Sequence, residues 1–316
     1  MVQYIVKRVL LMALTFFIIM AIGFTLIRLL PLPEAAKYGP NAALIQARRE
    51  QMGYDKPIVV QFFIYWRNVF FRGDWGIGEE YKTGLDVGQV FVERLPATMM
   101  VNLLSILVSI PIGILLGVFA ALKKNRWQDY AVSTLVMVAI SVPSFVVAFL
   151  LQYFFYYRLG WLPPLMAPTD RYFSGEMLLS LIMPVAALSF GTLAGFTRIT
   201  RAELADVLSG DYMLLARAKG LTRLQATFRH AFRNCAVVVV PSVLGSFVGI
   251  LSGSMIIERL FSIPGVGELY LGAILAQDYN FFMMLSAFYT FVGLSAGLIV
   301  DVSYGLIDPR VRMGER

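Results

Sequence analysis

Nucleophilic and metal-binding side chains are scarce in this chain of 316 residues. His230 is the single histidine and Cys235 the single cysteine, so we expect neither an intramolecular disulfide nor a His/Cys zinc cluster. The sequence also lacks a G-x-x-x-x-G-K-[ST] phosphate loop, an H-E-x-x-H motif and a carboxylate pair within its apolar segments. We therefore predict no enzyme activity, cofactor or metal in this chain. His230, beside Arg229 and Arg233, is interpreted as a structural hydrogen-bonding group.

The most specific local pattern lies in the polar segment 198–234, where residues 209–221 run SGDYMLLARAKGL. Asp211 can cap the start of a short helix, Lys219 suits the last turn, and Gly220 suits a left-handed residue at the end. The spacing predicts a helix of about two turns that ends at the glycine.

This short helix has a face that a partner protein could bind. Tyr212 and Leu215 share one side at helical spacing, while Ala216 and Ala218 are small enough to let another backbone approach. The helix could instead pack against the underside of the chain's own bundle, and the residues alone leave both interpretations open. After it, Thr222 is expected to cap a second helix that leads into the next apolar segment.

Six apolar segments must position this helix. The chain is 58% hydrophobic and 15% charged, whereas soluble domains carry about 25% charged residues. Each segment is long enough to cross about 30 Å of hydrocarbon as a helix. The first exceeds the roughly 7–15-residue core of a signal peptide, so we expect it to be retained. We predict an all-α polytopic membrane protein with six transmembrane helices, at residues 9–30, 97–122, 130–157, 177–196, 235–257 and 281–300.

Four of the predicted spans contain a proline, namely Pro111, Pro143, Pro184 and Pro241. In a membrane bundle, neighbouring helices can satisfy the carbonyl groups that a proline leaves free. We therefore predict that these helices are kinked at the prolines and continue through them.

The distribution of charge predicts the orientation. With the N-terminus in the cytoplasm, the segments on that side hold 15 basic and 6 acidic residues, and those on the opposite side hold 11 and 13. Lys and Arg accumulate on the cytoplasmic side, so both termini are predicted to be cytoplasmic. The net charge of +7 thus follows the membrane flanks. No nucleic acid partner is expected, because stacking aromatic residues are not interleaved with the basic ones.

The segment between the first two spans, 31–96, is predicted to lie outside the membrane. Within its stretch 57–71, helical spacing gathers five apolar side chains on one side: Phe62, Tyr65, Trp66, Val69 and Phe70. The pattern fits an amphipathic helix on the membrane surface or, equally, a small packed cap on the bundle. Further along, the run 153–157 and Trp161 are typical of an aromatic belt at the outer interface, with substrate stacking as the alternative.

Several motifs resemble one family of transporters. The run 216–221, ARAKGL, followed by 230–234, HAFRN, and Pro241, is similar to the EAA motif loop of permease subunits of dipeptide and oligopeptide ABC importers. Further similar segments cover nearly the whole chain: Arg72-Gly73-Asp74, 93–98 (ERLPAT), 261–267 (FSIPGVG), Asp278-Tyr279 and 308–312 (DPRVR). The long outer segment after the first span resembles the B-type subunit more than its C-type partner.

The chain departs from the general family pattern within the loop itself. Leu214-Leu215-Ala216 stands where the broad consensus has Glu-Ala-Ala. The peptide-importer branch commonly lacks that glutamate, so the departure is consistent with this branch.

The resemblance implies a type I ABC importer permease fold in a bacterial or archaeal cytoplasmic membrane. It also implies partners: a C-type permease subunit in a heterodimer, two cytoplasmic ATPase subunits that bind ATP and Mg²⁺, an extracytoplasmic substrate-binding protein and the lipid bilayer. The coupling helix that docks on an ATPase would contain Asp211, Tyr212, Leu215, Ala216, Ala218, Lys219 and Gly220. The outer gate would include Phe261, Pro264, Gly265 and Gly267, with a simple surface hairpin as the alternative.

Two regions are expected on this basis. Residues 1–96 would form the first transmembrane helix and the outer segment, and residues 97–316 would form a five-helix permease core. Related importers carry nickel chelates, haem or glycosides, so a non-peptide substrate is an alternative.

An ion-coupled carrier is the other alternative. Such carriers place ionisable residues near the middle of the bilayer, whereas Arg28, Glu258 and Asp301 all lie at the ends of predicted spans. Asp301 is expected to pair with a basic neighbour, either Arg198 or Arg201.

Overall fold

The structure is a computed structural model that describes residues 2–30, 39–168, 174–227, 231–251 and 253–307. Within these ranges the backbone forms helices and turns, and an isolated bridge pairs Ile77 with Asp86. The α-helices are α1 (Val2–Arg28), α2 (Ala42–Gln51), α3 (Ile58–Arg72), α4 (Val87–Leu122), α5 (Trp127–Ser141), α6 (Ser144–Leu151), α7 (Gly175–Val207), α8 (Asp211–Ala218), α9 (Arg223–Ala226), α10 (Phe232–Val248), α11 (Met255–Leu260), α12 (Val266–Ala276) and α13 (Tyr279–Ile307).

In the described residues, five helices are long and apolar enough to cross a membrane, namely α1, α4, α7, α10 and α13. Helices α5 and α6, the latter extended by the π-helical turn Gln152–Arg158, pass the same test as one span that is bent by 97°. Counting this pair, the six predicted spans are present. Helix α4 has 36 residues and is therefore about 50 Å long, so it extends beyond the hydrocarbon that it crosses.

The prediction of continuous helices is confirmed at Pro111, Pro184 and Pro241, which lie inside α4, α7 and α10. It is wrong at Pro143, where α5 ends and α6 begins. A proline has no N–H to donate and disfavours helical backbone at the residue before it. Val142 is accordingly extended, with φ −89° and ψ 120°.

The fifth predicted span, 235–257, was too long. Helix α10 ends at Val248 and tightens into a 3₁₀ turn, Gly249–Leu251. The following helix α11 is separate, and the side chain of Ser254 caps it by accepting a hydrogen bond from the N–H of Ile257.

Helices α4 and α7 form the centre of the bundle and approach each other closely. A Cβ added at Gly113 would lie 2.7 Å from the carbonyl oxygen of Leu193, and one at Gly117 would lie 2.7 Å from that of Thr197. Glycines spaced four apart thus allow the two backbones to come together, as small residues do between membrane helices.

Helix α3 is a packed cap on the outer segment, the second of the two predicted alternatives. Its Tyr65, Trp66 and Val69 are buried in one cluster with Phe24 of α1 and Met283 of α13. Phe70 does not belong to this buried face as predicted, because its side chain is 63% exposed.

A buried carboxylate fixes the outer segment to the start of α13. One oxygen of Asp278 accepts three hydrogen bonds, at 2.7, 2.8 and 2.9 Å, from the N–H groups of Glu79, Glu80 and Tyr81. Its other oxygen accepts the N–H of Phe281 at 3.1 Å. Asp278 is fully buried, and hydrogen bonds to a charged group are about twice as strong as neutral ones.

Asp301 does pair with a basic residue, but not with either predicted candidate. Its carboxylate lies 2.8 Å from Arg8, because α13 packs against α1. Arg201 instead binds Asp129 of α5 through two hydrogen bonds, at 2.6 and 2.8 Å.

Candidate functional site

The short helix predicted in the segment 198–234 is present as α8. The residue that ends it, Gly220, has φ +86°, which confirms the predicted left-handed conformation. Two hydrogen bonds close this end: the N–H of Lys219 donates to the carbonyl of Leu215 at 3.1 Å, and that of Leu221 donates to Ala216 at 3.3 Å. Glycine suits this position because it reaches positive φ without the steric penalty that a Cβ brings.

Of the two predicted helix caps, Thr222 is confirmed and Asp211 is not. Thr222 accepts a hydrogen bond from the N–H of Gln225 at 3.3 Å, and Gln225 accepts one from the N–H of Thr222 at 3.0 Å. This reciprocal pair confirms Thr222 as the cap of α9. Asp211, however, lies in the first turn of α8 and not at the cap position before it. In the first turn its negative charge complements the positive end of the helix.

Helix α8 has an inner and an outer face. Met213 and Ala216 are each 5% exposed and pack in a cluster with Leu204 and Ala226 of the bundle. On the other side, exposed residues form what we call the α8 outer face: Asp211, Leu214, Leu215, Ala218, Lys219 and Gly220. Leu214 and Leu215 are 65% and 57% exposed. The helix therefore packs on its own bundle and also offers an apolar pair to a partner.

This arrangement changes the set of residues expected to meet a partner. Ala216 faces the chain's own bundle, because it lies three residues after the buried Met213. Leu214 joins the outer face, although its sequence position indicated only a departure from the family pattern. The Tyr212 side chain lies outside the described part of the structure.

The segment before α8 is tied to the link between α4 and α5. Lys124 donates hydrogen bonds to the carbonyl of Ala205 at 3.3 Å and to the hydroxyl of Ser209 at 3.0 Å. The Arg201–Asp129 pair joins the same two parts of the chain. The end of α7, directly before α8, is therefore bonded both to the α4–α5 link and to α5.

At the opposite end of the bundle, the turn 261–267 wraps around the buried carboxylate of Glu258. One oxygen of Glu258 accepts the hydroxyl of Thr98 at 2.9 Å, and the other accepts the N–H of Glu268 at 2.9 Å. The Thr98 hydroxyl in turn accepts the N–H of Val266 at 2.8 Å. This carboxylate therefore joins α4, α11 and α12.

The four predicted gate residues all belong to this turn. Phe261 is fully buried, and its carbonyl accepts the N–H of Met166 at 2.8 Å. Gly265 and Gly267 are buried against Glu258, where an added Cβ would clash with the carboxylate. Pro264 is half-buried. The turn is a packed element and not a surface hairpin.

Glu258 was not among the predicted site residues, because apolar length alone puts it at the end of a span. The available signal was a lone acidic residue directly before a turn that contains two glycines. Burial raises the pKa of Glu258, which lies between the spans, to about 7.

Two further predictions fall outside the described residues, namely His230 and the segment 308–312. Among the residues that the structure describes, no group of three or more His, Cys, Asp or Glu side chains could hold a metal ion.

Comparison with known proteins identifies the family of this chain. Residues 113–313 match the family described as "Binding-protein-dependent transport system inner membrane component", and residues 1–102 match the N-terminal region of the same kind of membrane component. The chain is 32% identical to the dipeptide transport system permease protein DppB of Bacillus subtilis, with 100% of both chains covered. It is 35% identical to a putative peptide transport system permease protein of Brucella abortus (99% of each). It is also 33% identical to the oligopeptide transport system permease protein OppB of Salmonella typhimurium, over 99% of this chain and 100% of the relative.

Proposed function

The chain belongs to the family of inner membrane components of binding-protein-dependent transport systems, and from that premise we propose that it is one permease subunit of an ATP-driven peptide importer. The family is the membrane permease component of such systems and is not itself an enzyme. The peptide substrate rests on relatives that are named peptide, dipeptide or oligopeptide permeases and align over their whole length.

The observation that supports this function best is the two-sided character of α8. Its inner face is held by the bundle, and its outer face leaves Leu214 and Leu215 in solvent. Burying a leucine side chain contributes about 1.5–3 kcal/mol, so this pair can supply much of a docking interaction. A partner that binds the outer face would therefore act on a helix that is packed against the bundle.

In the proposed mechanism, α8 docks on a cytoplasmic ATPase subunit. Closure of two ATPase subunits on ATP moves α8, and the contacts of Lys124 and Arg201 carry the movement into α4, α5 and α7. A rigid-body rotation of this unit against a second permease subunit then opens the pathway to alternate sides of the membrane. At the outer end, the turn 261–267 would open and close the pathway as the gate.

The proposal includes the orientation of the protein in the membrane and its partners. Both termini and α8 lie in the cytoplasm of a bacterial cell, and the outer segment faces the other side, where a substrate-binding protein delivers peptide. The partners are a C-type permease subunit, two ATPase subunits and that binding protein.

Reconstituted vesicles test this function. The complex of this chain with its partners should take up labelled peptide only with ATP and binding protein, whereas this chain alone should hydrolyse no ATP. Replacing Leu214 and Leu215 with aspartate should abolish peptide-stimulated ATP hydrolysis. Leu85→Asp is the matched control, because Leu85 is 51% exposed in the outer segment. ATP-dependent uptake that survives the double substitution would refute the docking role.

A further inference from the structure

The break between α5 and α6 places irregular backbone on an exposed part of the bundle. Helix α5 ends at Ser141 and α6 begins at Ser144, and the two axes meet at 97°. Ser141, Pro143 and Ser144 are all exposed. Their neighbours along both helices are exposed apolar side chains such as Ile140 and Phe149.

The break leaves main-chain polar groups without partners. Val142 donates its N–H to Val138 at 3.2 Å, but Pro143 has no N–H for the next carbonyl. In the described stretch 127–168, the carbonyls of residues 139–142 and the N–H groups of Ser144 and Phe145 make no hydrogen bond. The Ser141 hydroxyl does not compensate, because it donates to the carbonyl of Met137 at 2.8 Å.

Packing on α7 shows how deep this break lies. Just before it, Ala139 packs against Ala194. Just after it, Ala148 belongs to a buried cluster that also contains Met177, Leu181, Met183 and Ala187 of α7. The break therefore lies between the level of Ala194 and the level of this cluster, within the apolar part of α7.

Main-chain groups at this depth do not face lipid. Hydrocarbon offers them no hydrogen-bond partner, so irregular backbone inside a membrane is found only where protein covers it or where it lines a water-filled cavity. In many secondary transporters, the substrate binds near the bilayer midplane at discontinuous helices with free main-chain groups.

We infer that the break at residues 139–145 lines the translocation pathway and binds the main chain of the transported peptide. This inference rests on the proposed function and adds to it a site and a mode of recognition. Each peptide unit carries one N–H donor and one carbonyl acceptor whatever its side chains. The break offers the complementary set, with carbonyls that accept and two N–H groups that donate. Recognition through the main chain suits an importer whose cargo varies in sequence.

Cysteine accessibility in the whole complex tests the inference. Cys235 is buried and is the single cysteine, so Cys235→Ser gives a background without thiols. Ser141→Cys and Ser144→Cys, made separately, should react with a water-soluble thiol reagent in the assembled complex. The matched controls, Leu135→Cys of α5 and Leu150→Cys of α6, are exposed in this chain but should not react, because they face lipid or protein. Saturating peptide should abolish labelling at Ser144→Cys, and two peptides of unrelated sequence should do so equally.

Three results would overturn the inference. Absence of labelling at both Ser141→Cys and Ser144→Cys, with and without ATP, would mean that the second permease subunit covers the break. Labelling that peptide does not change, or that is equal at Leu135→Cys, would show no main-chain site there. Uptake of labelled peptide, measured on the same vesicles, separates the two proposals. If the cysteines are not labelled but peptide uptake is normal, this inference alone is refuted. If the unmodified complex takes up no peptide, the proposed function is refuted and the inference with it.

Discussion

Replacing Gly220 should weaken coupling to the ATPase without unfolding the protein. Gly220 has φ +86°, and a Cβ added there would meet no atom within 4 Å. Alanine therefore introduces no clash, and its cost is the backbone penalty of the left-handed region, about 1–2 kcal/mol. If that energy opposes the docked conformation of α8, it lowers the docked population on the order of tenfold, because 1.4 kcal/mol corresponds to a factor of ten. Asparagine tolerates positive φ better and should lose less.

The assay is peptide-stimulated ATP hydrolysis by the reconstituted complex, with thermal unfolding measured in parallel. Gly73→Ala is the matched control, because Gly73 also ends a helix at positive φ, +65°, and also has open space around its Cβ position. Gly73→Ala should lose a similar amount of stability and keep stimulated hydrolysis. If Gly220→Ala and Gly73→Ala behave alike in both measurements, the left-handed end of α8 has no special part in coupling.

Three further predictions concern the outer segment, the gate turn and the topology. Asp278→Ala should leave four N–H groups without their acceptor, two of them buried and two partly buried, at up to about 1–3 kcal/mol each. The outer segment should then become sensitive to protease, and unchanged digestion would refute its role as an anchor. The pKa of Glu258, about 7, exceeds its unfolded value of 4.5, so the stabilisation it contributes is complete below about pH 4.5 and is lost as the pH rises through about 7. The melting temperature should fall between about pH 4.5 and pH 7, less so in Glu258→Gln, and equal slopes would contradict this. Cysteines at Lys124 and Ser174 should label from opposite sides of the membrane, and labelling from one side would exclude the proposed topology.

The sequence predicted the fold well wherever a local pattern determines the structure. Apolar length located the six spans, and glycine located the end of α8. The pattern failed at Pro143, because Pro111, Pro184 and Pro241 have the same local signature and yet remain inside helices. Whether a proline bends or breaks a helix depends on which neighbours accept the freed groups, and that is a property of the packed bundle.

Prediction of the sites was limited in the same way. Helical spacing placed Tyr212 and Leu215 on one side of α8 but left open whether that side meets a partner or the bundle, because spacing fixes relative and not absolute orientation. In the structure Leu215 is exposed and Ala216 is buried. The buried role of Glu258 depends on Thr98, which is 160 residues away. Likewise, Asp301 bonds Arg8 at the other end of the chain. No local pattern reports such contacts.

Docking of α8 on an ATPase subunit is the central claim, and site-specific crosslinking tests it directly. A photo-reactive residue at Leu215, on the α8 outer face, should crosslink to an ATPase subunit in intact membranes, and the yield should change with ATP. The same residue at Leu85 should give no such product. Failure of Leu215 to reach an ATPase subunit in a complex that still takes up peptide would contradict the central claim.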